Sequence, residues 1–73
     1  MQAKSSQQTR RAVLGLVLYE HPRELTSRDL RDEIGDDTRA AIVDLQAAGL
    51  LKREGDYVRP TRSALNFYRL ELS

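Results

Sequence analysis

The chain is 73 residues and 8.3 kDa, room for one small domain. Hydrophobic residues are 40% and charged residues 32%, a globular mix and not a disordered one. A chain this short buries only about 60% of the surface its unfolded form exposes, so its core needs efficient packing or a partner. Cysteine is absent, which excludes disulfides and thiolate metal sites and is compatible with a reducing compartment. The longest apolar run, Ala12 to Tyr19, falls far short of the ~20 residues of a membrane span. Arg10 and Arg11 precede it as in a signal peptide, but Glu20, His21, Pro22 and Arg23 follow it instead of a small-residue cleavage site. A cytoplasmic protein without a membrane partner is therefore expected. The net charge of +1 conceals an uneven distribution. Residues 1–23 carry four basic side chains against one acidic, residues 24–48 three against seven, and residues 49–73 five against three. An anionic partner is expected to meet the two ends of the chain before its middle.

Residues 1–8 are polar and aperiodic and read as a disordered tail, leaving 9–72 as the domain. Thr9 is placed to cap a first helix that runs to Tyr19 or Glu20. Val13, Leu14, Val17 and Leu18 form its buried stripe, and Leu16 widens it. Gly15 weakens this helix by roughly 1 kcal/mol relative to Ala and is either tolerated or marks a close helix crossing. His21-Pro22 ends it, because the residue before proline is pushed out of the α region. Glu24-Leu25 reads as a short strand. Thr26-Ser27-Arg28-Asp29 then matches a capping box, with Asp in place of Glu. The second helix runs to Ile34, with Leu30 and Ile34 inward and Gly35 suited to a left-handed stop. Asp36 or Asp37 is placed to cap a third helix. One of its faces carries Thr38, Ala41, Ile42, Leu45 and Ala48, the other mostly Arg39, Ala40, Val43, Asp44 and Ala47, and Gly49 stops it.

From Leu50 the hydrophobic period shortens. Leu51 to Glu54 and Tyr57 to Pro60, joined by Gly55-Asp56, read as a hairpin with Glu54 opposite Tyr57 and Lys52 opposite Arg59. Pro60 cannot donate to a ladder and marks the strand end. Thr61 caps a last helix with Ala64, Leu65, Tyr68 and Leu72 on one stripe and Phe67 and Leu70 beside it. The expected core is Leu14, Val17, Leu30, Ile34, Ile42, Leu45, Leu51, Val58, Leu65 and Tyr68. There are no repeats and no low-complexity segments.

The order is helix, strand, helix, helix, strand, strand, helix, a mainly α fold with a small β-hairpin. The run from Leu25-Thr26-Ser27-Arg28-Asp29-Leu30 to Leu45-Gln46-Ala47-Ala48-Gly49-Leu50-Leu51, followed by Gly55-Asp56-Tyr57-Val58-Arg59-Pro60-Thr61, resembles a winged helix-turn-helix domain of the small prokaryotic transcription-regulator type. In that family L-x-x-A-G-L-L ends the recognition helix and enters the wing, and V-x-P-T leaves the wing and caps the next helix. The resemblance covers about residues 9–72 and implies a DNA-binding transcriptional regulator whose third helix enters the major groove.

Catalysis is not expected. The chain has one histidine, no cysteine and no Gly-rich phosphate loop, so neither a metal nor another cofactor nor a small-molecule ligand is indicated. His21 reads as an exposed structural residue and Asp36-Asp37 as helix caps. For double-stranded DNA the candidates are Arg39, Val43 and Gln46 for base edges, and Lys52, Arg53, Arg59, Thr61 and Arg62 for the backbone. Lys52 and Arg59 share one face of the hairpin and Arg53 occupies the other. Arg10 and Arg11 are placed to extend the footprint. Against this reading, Asp36, Asp37 and Asp44 flank the third helix, and carboxylates repel phosphate. The alternative is a winged-helix protein-interaction module that does not read DNA. Apolar surplus on the terminal helices points to a homodimer, with Leu16, Phe67, Leu70 and Leu72 as candidate contacts.

Overall fold

The computed structural model describes residues 6–72, with side chains through Leu70. Helix α1 spans Gln7–Glu20. Its cap is Ser6 and not the expected Thr9: the Ser6 hydroxyl accepts the Thr9 N–H at 3.0 Å and lies 2.8 Å from the Thr9 hydroxyl. Gln7 and Gln8, expected in the tail, are helical. Their turn is exposed, so no apolar period announced it, while glutamine is a good helix former behind a serine cap. The helix closes at His21, whose N–H reaches the Val17 carbonyl at 3.1 Å, and the His21–Pro22 peptide is cis.

Strand β1 is Leu25–Thr26 and α2 is Ser27–Ile34. The capping box forms as expected. Asp29 N–H donates to the Thr26 hydroxyl and Thr26 N–H to the Asp29 carboxylate, each at 3.0 Å. Gly35 stops α2 in an extended, positive-φ conformation (φ 131°, ψ −171°) and not the left-handed one expected, a region open to glycine alone. Helix α3 is Thr38–Ala47. Asp37 occupies its cap position but makes no capping bond, and Asp36 is exposed. Asp37 has helical angles (φ −73°, ψ −5°), and a cap side chain reaches the first turn only from an extended backbone. The hydroxyl of the buried Thr38 donates to the Gly35 carbonyl at 2.6 Å and fastens the turn before the helix.

At the far end of α3, Gly49 N–H bonds to the Gln46 carbonyl at 3.0 Å and Leu50 N–H to the Leu45 carbonyl at 2.9 Å. This double closure turns the chain through Gly49 at φ 77°, where a Cβ would be strained. Ala48 lies beyond the last helical turn and is exposed, not buried as its spacing implied. Strands β2 (Leu51–Glu54) and β3 (Tyr57–Pro60) pair antiparallel in the expected register, Glu54 with Tyr57 and Lys52 with Arg59. β1 pairs with the other edge of β3, Leu25 opposite Val58, giving the order β1-β3-β2. Helix α4 is Arg62–Leu72.

The architecture is four helices and a small three-stranded antiparallel sheet. Its core is Val13, Val17, Leu25, Leu30, Ala41, Ile42, Leu45, Leu51 and Val58. Leu14 and Ile34, expected inside, are half-buried at its border, and Leu65 and Tyr68 are half-buried on α4. Val13, Leu25 and Ala41 take their places; pairing buries Leu25, and a small residue suits the middle of a helix packed closely on α1. Leu18 on α1 and Ala64 on α4 are buried outside this cluster. No helix among the described residues is long and apolar enough to cross a membrane.

Candidate nucleic-acid interface

Helix α2 segregates its charges by face. Arg28 and Arg31 sit three residues apart on one side of the helix, and Asp29, Asp32 and Glu33 on another. The basic side meets α3 and the hairpin around a groove of about 490 Å³ lined by Ser27, Arg28, Arg31, Arg39, Ile42, Val43 and Arg53. Four guanidinium groups thus surround an apolar floor, with no carboxylate in the lining. None of the four is ion-paired among the described residues. Ile42 is almost fully buried at 3% exposure, whereas Val43, also in the lining, is 57% exposed. Three expected site residues, Arg39, Val43 and Arg53, are brought together here.

Arg28 and Arg31 were not among the expected contacts, because the acidic composition of residues 24–48 obscured them. A helical wheel of α2 carries the signal. Three of the four arginines come from residues 24–48, the segment whose net charge is negative. The flanking acids do not line the groove. Asp44 pairs with Arg10 of α1 at 3.6 Å, which also ties down one of the two arginines placed to extend the footprint.

The remaining backbone candidates lie on the other face of the hairpin. Lys52, Arg59 and Arg62 line a cleft of about 670 Å³ with His21, Arg23, Leu65 and Arg69. Arg59 does not offer a free cation there. Its terminal nitrogen Nη2 donates to Glu24, and its Nε lies 3.0 Å from Glu54 Oε1, close enough for attraction but without hydrogen-bond alignment. Thr61 is engaged as well. Its hydroxyl donates to the Gly49 carbonyl at 2.7 Å and accepts the Ala64 N–H at 3.2 Å, and its N–H bonds to the Leu50 carbonyl at 3.1 Å. Thr61 is thus the joint between the end of α3 and the start of α4 and has no donor left for a phosphate. Gln46 is exposed but lies outside the lining of the arginine groove.

Of the dimer candidates, Leu16 is half-buried against the core. Phe67 and Leu70 are 58% and 73% exposed. The Leu72 side chain lies outside the described residues. Among the described residues no group of three or more histidines or carboxylates is arranged to hold a metal ion. Comparison with known proteins assigns no family: no family model, curated protein or solved structure matches this chain.

Proposed function

We propose that the chain is a winged helix-turn-helix module that binds double-stranded DNA and acts as a transcriptional regulator, α3 being the reading helix and the β2–β3 hairpin the wing. The observation that carries this reading is the arginine groove. Four guanidinium groups, none ion-paired among the described residues, converge between α2, α3 and the hairpin with no carboxylate in the lining, on the side where α3 exposes Val43. Guanidinium forks suit phosphate oxygens and the O6/N7 edge of guanine, and an exposed valine suits a thymine methyl. In this reading Arg39 and Val43 face base edges, while Arg28, Arg31 and Arg53 hold the backbone. The functional unit is a homodimer that sets two reading helices on one site.

The test is fluorescence anisotropy of a random-sequence duplex across a range of salt concentrations. Counterion release makes the logarithm of affinity fall with the logarithm of salt, by about 0.9 per phosphate neutralised. Arg28→Ala and Arg31→Ala should each flatten that slope by about one such step and weaken binding to all sequences alike. Arg39→Ala should instead relax preference at one base position, at about 1–3 kcal/mol. A wild type that fails to bind duplex at low salt removes the reading. The exposed Val43, with Ala47 beside it on the outside of α3, then favours the alternative of a protein-interaction module.

A further inference from the structure

A third surface feature lies on the acidic side of α2. Leu16, Glu20, Arg23, Leu25, Asp29, Asp32 and Glu33 line a shallow groove of about 260 Å³. This acidic groove and the basic cleft on the outer face of the hairpin share Arg23 and adjoin along the segment from Glu20 to Leu25. Each has an apolar floor, Leu16 and Leu25 in one and Pro22, Pro60 and Leu65 in the other, with charged residues of opposite sign around it. Within the chain much of this charge is already matched. Glu20 pairs with Arg23 at 3.1 Å, Arg59 pairs with Glu24 and Glu54, and Asp29 accepts the Thr26 N–H. Asp32 and Glu33 on the acidic side, and Lys52 and Arg62 on the basic side, have no ion-pair partner among the described residues.

Two adjoining patches of opposite sign are self-complementary. A two-fold axis through their common border lays the acidic patch of one copy on the basic patch of the other, twice over. We propose that the occupant of this surface is a second copy of the same chain, docked about a two-fold axis near Arg23, with Asp32 and Glu33 of each copy facing Lys52 and Arg62 of the other. Apolar floors inside charged borders match the usual anatomy of a specific interface. The arrangement uses the acidic side of α2 and leaves the side bearing Arg28 and Arg31 open. It therefore stands independently of DNA binding, and adds to that reading the surface through which the homodimer forms.

Sedimentation equilibrium on the full chain tests this, over a wide range of protein concentration at low salt and near 1 M salt, where the screening length is about 3 Å. The wild type should dimerise at low salt and dissociate at high salt. Asp32→Lys with Glu33→Lys gives a chain with two basic patches, and Lys52→Glu with Arg62→Glu one with two acidic patches. Each double variant should raise the dimer dissociation constant by about tenfold or more, while circular dichroism shows the native helix content. An equimolar mixture of the two should recover a one-to-one dimer, since every facing pair is again opposite in sign. A wild type that stays monomeric overturns the proposal, as does a mixture of the two folded variants that fails to pair. So does a wild-type dimer that is indifferent to both reversals and is broken by Phe67→Glu with Leu70→Glu, which assigns the interface to α4 instead.

Discussion

A Cβ added at Gly15 meets no atom within 4 Å, so this glycine neither admits a close helix crossing nor relieves strain. Gly15→Ala should stabilise the fold by about 0.5–1 kcal/mol through helix propensity and a less flexible unfolded chain. For a domain of this size that raises the melting temperature by about 4–8 °C per kcal/mol, which calorimetry reads directly. Thr61 behaves in the opposite way. Thr61→Ala removes a cap and the donor to the Gly49 carbonyl, and should cost about 0.5–2 kcal/mol, while Thr61→Ser should keep most of the stability. Asp29 sets an acid limit. Thr26 holds its carboxyl below the ordinary value of 3.8 by donating its backbone N–H to it, helped by the Thr26 hydroxyl and the nearby Arg23 charge and opposed by a small desolvation effect. A carboxyl more acidic in the fold than in the unfolded chain stabilises fully above its unfolded value and loses that contribution as pH falls through its folded one. Denaturant midpoints of the wild type should therefore fall as pH drops from 3.8 downwards. In Asp29→Asn this part of the profile should be flatter, and an unchanged slope would remove Asp29 from the account.

The hairpin shows what an element adds to its residues. Strand alternation puts Lys52 and Arg59 on one face and Arg53 on the other, as expected, but pairing with β1 also brings Glu24 beside Arg59. The link before β1 thereby neutralises Arg59, the hairpin arginine expected to contact a phosphate backbone. Exposed pairs of this kind contribute little, so Glu24→Gln with Glu54→Gln should cost under about 1 kcal/mol in a thermal melt. The same double variant releases Arg59 and removes two carboxylates, so it should tighten binding to random duplex at low salt and steepen the salt slope. Weaker binding would show that the pairs position the hairpin for contact. The capping box of α2, the hairpin register and the Thr61 cap were all legible beforehand, because each is determined within a few residues. The cap of α3 was not, because it depends on whether Asp37 adopts an extended or a helical backbone, which the packing of the Gly35 turn decides.

Leu30 is fully buried at the centre of the core, on the helix whose charged faces form both the arginine groove and the acidic groove. Leu30→Ala should cost about 2–5 kcal/mol, a large part of the stability of any domain this small. Both surfaces should then be lost in one cooperative transition, seen as coincident loss of helix signal and of duplex binding on heating. The amino-acid sequence by itself determined the order of the elements, most of their boundaries, the strand register and the apolar stripes. Hydrophobic period, capping residues and turn glycines act over one or two turns and leave their mark in the local pattern. It also singled out Arg39, Val43 and Arg53 from the exposed face of α3 and the outer positions of the hairpin. Only the tertiary structure decided which charges act together. Windowed along the chain, Arg28 and Arg31 are outnumbered by acidic neighbours. Folded, the helical period turns those neighbours to another face, and packing brings the arginines to Arg39 and Arg53, while the basic hairpin residue Arg59 is matched by Glu24, 35 positions away. Coulomb energy depends on distance in space and on solvent, and neither is fixed until the core is packed.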